Sequence, residues 1–455
     1  MTPDETAARR HEPFRFRTAE GLLRKTAALG IDLPFDHDIT ALLRPARIAS
    51  RVVPNRLAVQ PMEGCDATPE GAPGELTFRR YCRYAEGGSG LIWFEATAVV
   101  PGGRSNPREL MITKGSVGAF RTLVNETRAA AKARFGKAHR PFLVLQLTHA
   151  GRYSKPGKPQ PLRGASANPH LDVPRTLITP WTDDELAGIR NAFIDRVRLA
   201  AEAGFDAVDI KACHGYLVSE LLGARTRAGS RYGGSFENRS RLLLEILVGA
   251  REAVPDLPIA VRLNVTDLVP YPFGFGMAPD GPDAVDLSEP QALVRALTAS
   301  GCCLLNATIG VPRHAAHVGR PFDRPVTGNA VPEEHPLAGV ARLIHLAAAI
   351  QQVSAPVPVV GSGYSWLREF WPHVGAAVVG RGMAAFVGLG RGAFAYPDAP
   401  RDLMTGGALN RSKCCTACSR CVELMRRGRG TGCVVRDRPL YQRIYRESAT
   451  GETRG

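Results

Sequence analysis

Short apolar runs alternate with longer amphipathic segments along most of the chain. The runs are rich in Val, Ile, Leu and Ala, which predicts parallel strands buried on both faces. The eight predicted strands are Arg56–Gln60, Gly90–Thr97, Phe142–Thr148, Ala207–Lys211, Pro258–Asn264, Cys302–Thr308, Val357–Gly361 and Ala376–Gly380.

The segments between these runs have helical spacing. Asp183–Ala203 and Phe236–Val254 each place their apolar residues on one stripe, and another helix is expected to begin at Ser288 as its N-cap. Before the first strand, a helix is predicted over Thr18–Leu29, ended by Gly30. Eight strands that alternate with helices predict a (β/α)8 TIM barrel, and an open doubly wound sheet is the alternative.

This alternation divides the chain into three parts. Residues 1–41 are predicted to be an N-terminal extension, residues 42–400 the barrel, and residues 401–455 a cysteine-rich segment. Three Pro-rich loops, Lys155–Pro174, Val269–Asp283 and Pro312–Pro336, follow predicted strands. They are therefore expected on the face of the barrel that carries active sites.

Charge and composition narrow the function classes. The 455 residues carry a net charge of +15, yet the Arg residues are spread along the chain and no nucleic-acid-binding module is recognisable. The charge favours anionic small-molecule ligands over nucleic acid. The N-terminus lacks the apolar core of a signal peptide, and no run is long enough to span a membrane. We expect a cytoplasmic protein without a membrane or nucleic-acid partner.

Five motifs lie beside predicted strands. They are NRLAVQPMEG (Asn55–Gly64), RYAEGGSGLIWFEATAV (Arg83–Val99), QLTHAGR (Gln146–Arg152), AGFDAVDIKACHGYL with RYGGSFENRSR (Ala203–Leu217 and Arg231–Arg241), and VVGSG…VVGRG (Val359–Gly382). Together they resemble the Old Yellow Enzyme, or NADH:flavin oxidoreductase, family. The chain is most similar to the iron–sulfur branch, typified by 2,4-dienoyl-CoA reductase and trimethylamine dehydrogenase.

The resemblance implies bound FMN, with NAD(P)H as a candidate electron donor. A flavin needs donors at its pyrimidine edge, where negative charge develops on reduction, and Gln146 and Arg262 follow the expected pattern. Without the resemblance, Gln146 is equally well a core amide and Arg262 an internal ion-pair partner. Pro61 and Met62 match positions whose backbone lies against the flavin, and Glu63 follows them.

Glycine turns predict the site of the flavin phosphate. Gly361, Ser362 and Gly363 follow the seventh predicted strand, and Gly380 and Arg381 follow the eighth. Barrels frequently bind phosphate with these two loops, where glycine lets the backbone approach closely.

Three residues after the fourth strand are the candidate catalytic groups. Family members often carry two histidines, or His and Asn, which hold a substrate carbonyl, and a Tyr that donates a proton. Here the positions are Lys211, His214 and Tyr216. Lys211 departs from the family pattern, and as a flexible cation it polarises a carbonyl or pairs with a carboxylate. Packing and solvated roles are the alternatives for Lys211 and Tyr216.

Four cysteines near the C-terminus have the spacing of a metal centre. Cys415, Cys418, Cys421 and Cys433 favour a [4Fe–4S] cluster over structural zinc or free thiols, and adjacent Cys414 is an alternative to Cys415.

The expected function is an FMN-dependent ene-reductase that moves hydride between flavin and an activated C=C bond of a carbonyl- or carboxylate-bearing substrate. The cluster is expected to relay electrons, with a separate electron-transfer partner. The alternatives are a dehydrogenase of amines or saturated rings, and a non-catalytic flavin or electron-transfer protein.

Overall fold

The computed structural model describes residues 11–158, 161–172 and 177–450. Residues 1–10 of the predicted extension, positions 159–160 and 173–174 of the first predicted loop, and residues 451–455 of the cysteine-rich segment lie outside the described residues.

Eight parallel strands form a closed barrel. They are β1 (Leu57–Val59), β2 (Leu91–Ala98), β3 (Phe142–Thr148), β4 (Ala207–Ala212), β5 (Ile259–Asn264), β6 (Cys302–Thr308), β7 (Val359–Gly361) and β8 (Phe386–Leu389). Strands pair in chain order, and β1 pairs with both β2 and β8. The ring confirms the predicted TIM barrel and excludes the open sheet.

A helix follows each strand on the outside of the ring. These helices are α1 (Glu75–Glu86), α2 (Val117–Phe135), α3 (Asp183–Ala203), α4 (Phe236–Ala253), α5 (Ser288–Ala299), α6 (Pro336–Ser354), α7 (Trp371–Gly380) and α8 (Ala399–Gly406). Additional helices are Ala19–Ala28, Thr40–Leu43, Leu217–Leu222, Ala316–Gly319, Arg391–Ala395, Arg420–Arg426 and Arg438–Thr450, with 3-10 turns at Pro101–Gly103, Gly151–Tyr153, Tyr364–Phe370 and Arg411–Lys413. Short strands lie at Ala46–Ile48, Arg51–Val53, Leu110–Met111, Arg163–Gly164 and Thr179–Pro180.

The barrel interior is packed with side chains from alternate strand positions. Trp93, Phe142 and Phe386 are buried there together, and the hairpin of Ala46–Ile48 and Arg51–Val53 adds Ile48 and Val53 to the same cluster. A second, larger apolar layer lies between the strands and the outer helices. The lower barrel is therefore a filled core rather than a channel.

The predicted eighth strand is wrong. Residues 376–380 form the last turns of α7, and the true β8 is Phe386–Leu389. The run VGAAVVG is buried on nearly all sides, and the periodicity of a short, fully buried run does not distinguish a helix from a strand.

The helix predictions agree with the structure apart from one cap. The N-cap of α5 is Leu287, and Ser288 is its first residue, whose N–H donates to the Asp286 carboxylate at 2.8 Å. The early helix covers Ala19–Ala28 and has Thr18 as its N-cap. α6 is long and apolar enough to cross a membrane by length and composition alone, but half of it is buried against the rest of the protein.

The cysteine-rich segment packs on the carboxyl face of the barrel. The N–H of Thr431 donates to the carbonyl of Gly64 at 2.7 Å, and Asp437 forms ion pairs with Arg79 and Arg83 of α1. The loop after β6 holds the other side, where the N–H of Asp323 donates to the carbonyl of Ala417 at 3.0 Å. The segment thus covers part of the face at which the strands end.

Candidate active site

A cavity of about 450 Å³ opens at the carboxyl ends of the strands. Its volume is in the range of small-molecule and cofactor sites. Eight of the predicted site residues line it: Pro61, Met62, Lys211, His214, Tyr216, Arg262, Ser362 and Gly363. The fold therefore brings together side chains from β4 and β5 and from the loops after β1, β4 and β7.

Arg262 forms one wall of the cavity. Register pairing places it level with Lys211 on β4 and Asn306 on β6. Its guanidinium donates to the carbonyl of Pro61 at 3.4 Å, while its buried Nε has no hydrogen-bond partner among the described residues. Because an unpaired buried donor is costly, this nitrogen indicates a ligand acceptor in the cavity.

Gln146 lies deeper than predicted and does not line the cavity. Its amide donates to Asp209 at 2.5 Å, and its buried carbonyl oxygen has no partner among the described residues. Asp209 also accepts from Trp93 and from the backbone N–H of Arg262. Burial is the main cause that raises the Asp209 pKa to about 6. This carboxylate links Gln146 to Arg262.

The end of the cavity at β7 and β8 has the features of a phosphate site. Gly363 has φ +102°, and a Cβ there would meet Leu343 at 2.7 Å. Gly361 is the last residue of β7, Ser362 lines the cavity, and Gly390 and Arg391 follow β8. Arg391 is buried and donates to the carbonyl of Pro321 at 2.6 Å, but its Nη1 has no partner among the described residues.

Gly380 and Arg381 do not lie at this end of the barrel. They mark the C-terminus of α7, because β8 begins six residues later than the predicted strand ends. The glycine and arginine that follow the true strand are Gly390 and Arg391, which sequence analysis missed. The rule of a glycine turn after an apolar run would have identified them, had Phe386–Leu389 been recognised as the strand.

Lys211 and Tyr216 converge on Glu63. The Tyr216 hydroxyl donates to Glu63 Oε1 at 2.6 Å, Lys211 Nζ lies 3.2 Å from the same oxygen, and the lysine nitrogen is 3.5 Å from the centre of the Tyr216 ring. Burial opposes ionisation of Glu63, yet the charge of Lys211 and the hydrogen bonds leave its pKa below the ordinary value. Glu63 is therefore an anion in the cavity wall.

His214 occupies a strained loop beside this group. It has φ +65°, and its Nε2 lies 3.4 Å from the hydroxyl of Thr308. Burial, followed by the charges of Arg262 and Lys211, lowers the pKa of His214 well below the usual value. The imidazole is therefore neutral and can donate to a substrate oxygen through only one nitrogen.

Four cysteines lie close together behind the cavity. Burial raises the pKa of Cys421 and of Cys433 to about 12, and the negative charge of a Cys415 thiolate contributes to both increases. The backbone N–H groups of Ala417 and Arg436 donate to the sulfurs of Cys415 and Cys433 at 3.4 and 3.3 Å. Helix Arg420–Arg426, which contains Cys421, also lines the cavity through Val422, Met425 and Arg426.

The described side chains do not form a closed site for a single metal ion. Within the described ranges, no three His, Cys, Asp or Glu side chains are close enough together to hold one ion.

Cations dominate the cavity lining. The described residues that line it include the cations Lys155, Lys211, Arg262, Arg313, Arg320, Arg391, Arg426 and Arg427, against the single carboxylate of Glu63. Burial, followed by the positive charge of Arg391, lowers the pKa of Arg320 to about 9. This excess of positive charge favours anionic ligands.

Comparison with known proteins agrees with this geometry. Residues 41–276 match the model of the NADH:flavin oxidoreductase / NADH oxidase family. The chain is 28% identical over 389 residues to the NADH oxidase of Thermoanaerobacter brockii, a match that covers 83% of this chain and 52% of that protein. It is 34% identical over 262 residues to the NADPH dehydrogenase of Geobacillus sp. (strain WCH70), covering 55% of this chain and 73% of that protein.

A solved structure shows the same fold. A 2-naphthoyl-CoA reductase complex superposes with a TM-score of 0.71 at 21% identity, over 90% of this chain and 58% of that one. The chain spans about half the length of the NADH oxidase. Since the family model matches more than half of the sequence, the chain belongs to the NADH:flavin oxidoreductase / NADH oxidase family of FMN-dependent oxidoreductases.

Proposed function

We propose that this chain binds FMN and reduces an activated C=C bond in an anionic or carbonyl-bearing substrate. The observation that carries the proposal is one cavity that contains a proton donor, Tyr216, and nitrogens of Arg262 and Arg391 that have no hydrogen-bond partner among the described residues. Bound FMN supplies the hydride.

The chain's residues fit the cofactor. Arg262 has a buried nitrogen without a partner among the described residues, as the pyrimidine edge of a flavin requires, and Gln146 is linked to it through Asp209 without lining the cavity itself. Pro61 and Met62 line the cavity beside them. Ser362, Gly363, Gly390 and Arg391 offer the close backbone approach and the cation that a phosphate needs. Gly361, immediately before Ser362, belongs to the same turn. We assign no cofactor contact to Gly380 or Arg381.

Tyr216 delivers the proton in this proposal. Lys211 and His214 bind the group that activates the alkene, and the Tyr216 hydroxyl protonates the carbon that does not receive hydride. Glu63 and the buried surroundings raise the pKa of Tyr216 well above its usual value, so the hydroxyl is fully protonated before reaction. NADH or NADPH is the proposed electron donor.

Cys415, Cys418, Cys421 and Cys433 are the proposed ligands of a [4Fe–4S] cluster. Their electrostatic influence on one another, their half-buried position and the hydrogen bonds to two of their sulfurs support this assignment. The cysteine-bearing helix lines the flavin cavity, so a cluster there is adjacent to the cofactor. We propose that it exchanges electrons with a separate partner protein.

Glu63 favours a second candidate function. A carboxylate in the substrate site can bind an amine, and the enzyme would then oxidise its substrate and pass electrons to the cluster. The excess of cations in the cavity makes this direction the weaker candidate, because the lysine already neutralises Glu63.

An anaerobic experiment tests both candidate functions. Absorption spectra with iron and sulfide analysis report flavin and cluster together. The flavin is then photoreduced and mixed with 2-cyclohexen-1-one or cinnamate, and we expect reoxidation that Tyr216→Phe slows by about 10² to 10⁴. If neither compound reoxidises the flavin while trimethylamine bleaches oxidised enzyme, the second function is correct. Protein that neither contains nor binds FMN contradicts both.

A further inference from the structure

A chain of hydrogen-bonded polar groups leads from Tyr216 through Glu63 and Ser105 to Glu109. We propose that Ser105 and Glu109 form a proton relay that restores the hydroxyl proton of Tyr216, and that Glu63 positions the two hydroxyl groups. The inference rests on the proposed function, in which Tyr216 is the proton donor, and adds the source of its next proton.

Glu63 holds two hydroxyls with its two oxygens. Oε1 accepts from Tyr216 at 2.6 Å, and Oε2 accepts from the Ser105 hydroxyl at 3.2 Å. Lys211 compensates the charge of this carboxylate at 3.2 Å. The geometry fixes the tyrosine and the serine on either side of one anion, so Glu63 is a positioning residue.

Ser105 connects Glu63 to Glu109. Its hydroxyl donates to Glu63 Oε2, and its backbone N–H donates to Glu109 Oε2. The same hydroxyl favours the ionised forms of Tyr216 and Glu109, and so lowers the pKa of both. A hydroxyl placed between the tyrosine and the glutamate can pass a proton from one to the other by rotation.

Glu109 is buried deeply enough to store a proton. It is 1% exposed, and its Oε1 has no hydrogen-bond partner among the described residues. Burial, followed by the negative charge of Glu63, raises its pKa to about 8. Two neighbouring buried carboxylates do not both ionise readily, and Glu63 carries the charge because Lys211 is beside it.

The groups that interact with Glu109 come from three parts of the barrel. Glu63 and Cys65 belong to the loop after β1, Arg104 belongs to the loop after β2, and Lys211 and Tyr216 belong to β4 and the loop that follows it. Lys211 and Arg104 provide positive charge for the carboxylate that remains when Glu109 loses its proton.

The proton transfers balance without any further reactant. The O–H bond of Tyr216 breaks as the C–H bond of the product forms, which leaves a tyrosinate. The Ser105 hydroxyl gives its proton to that tyrosinate and receives the proton of Glu109, which becomes a carboxylate. Water restores Glu109 after the product leaves, because Ser105 lines the cavity.

Infrared difference spectroscopy of the resting holoenzyme tests whether Glu109 holds a proton before any turnover. At pH 7, the wild-type minus Glu109→Gln difference spectrum is expected to contain the carbonyl stretch of a protonated carboxyl group, whereas the contribution of Glu95, whose pKa burial raises to about 7, is common to both proteins and cancels. Glu86→Gln, at an exposed carboxylate of α1, is the control and retains the band. A Glu109→Gln spectrum identical to that of the wild type contradicts the proposal.

Kinetics with 2-cyclohexen-1-one test the relay itself. Tyr216 holds one proton before reaction, so Glu109→Gln and Ser105→Ala are expected to reoxidise reduced flavin once at a rate within about twofold of the wild type. Their steady-state rate is expected to fall at least about tenfold, with an increased solvent deuterium isotope effect. An equal loss in the single-turnover rate and in the steady-state rate indicates a structural role for these residues and overturns the relay. No loss in either rate also overturns it. If wild-type flavin is not reoxidised at all, the proposed function fails, and the infrared result still decides the protonation of Glu109.

Discussion

At the scale of single residues, buried carboxyl groups control how the stability of this protein depends on pH. The pKa of Glu109 is raised from 4.5 to about 8, so the folded state holds a proton that the unfolded state releases. Stability is therefore lost as pH rises from about 4.5 to about 8. Glu109→Gln should be increasingly more stable than the wild type as pH rises through this window.

Melting temperatures measured between pH 5 and pH 9 check this prediction. The advantage of Glu109→Gln should grow up to about pH 8 and then remain constant. Glu86→Gln should follow the wild type throughout, because the carboxylate of Glu86 is exposed. A constant difference across the range would mean that Glu109 is ionised in the folded protein even at low pH.

Arg80 and Arg79 are adjacent on α1 but differ in environment. Arg80 is buried between Asp66 and Glu95, and its Nη1 lies 2.6 Å from Glu95. Arg80→Ala leaves two buried carboxylates without a cation, and we expect a loss of about 3–5 kcal/mol in the free energy of unfolding. Arg79 pairs with Asp437 at the surface, so Arg79→Ala should cost less than about 1 kcal/mol. Denaturant titration of both variants measures the contrast, and equal losses would contradict it.

At the scale of elements, helix Arg420–Arg426 is held in the cavity wall by Glu423. The carboxylate accepts from the N–H and hydroxyl of Thr327 at 2.8 and 2.7 Å, and from the hydroxyl of Tyr445. Glu423→Gln removes the charge from these hydrogen bonds. We expect trypsin to cleave after Arg426 and Arg427 about tenfold faster, because the helix opens locally.

Glu447→Gln is the matched control for this experiment. Glu447 lies in the following helix and faces Arg443 in an exposed pair, so its replacement should leave the cleavage rate unchanged. Mass spectrometry of timed digests identifies the cleavage sites. Unchanged cleavage in Glu423→Gln would show that apolar packing, rather than this carboxylate, holds the helix.

Sequence patterns predicted most elements because each strand is a short apolar run between helices of clear periodicity. They misplaced the eighth strand because α7 is buried on nearly every side, so that its apolar run has the same pattern as a buried strand. This error placed the predicted phosphate site at Gly380 and Arg381, whereas the glycine and arginine that follow the true β8 are Gly390 and Arg391. Ser105 and Glu109 gave no signal, because only the closed barrel brings the loop after β2 against Glu63.

At the scale of the whole molecule, the cysteine-rich segment and the barrel share one site. The segment contacts Gly64, Arg79 and Arg83 on one side and the loop after β6 on the other, and its helix completes the cavity. Removal of the proposed cluster is therefore expected to disturb the cavity that we assign to FMN as well as the proposed electron transfer. Flavin content should fall when the proposed cluster is lost, which the same absorption spectrum reports.

Two adjacent cysteines provide the sharpest test of this coupling. Cys415 raises the pKa of both Cys421 and Cys433, whereas the sulfur of Cys414 donates to the carbonyl of Asn410 at 3.6 Å. Cys415→Ser should lose iron, sulfide and part of the FMN, because a ligand of the cluster is gone. Cys414→Ser, the same change one residue earlier, should retain all three. Iron loss in Cys414→Ser with retention in Cys415→Ser would reverse the ligand assignment, and full retention in both would exclude a four-cysteine cluster that includes either residue.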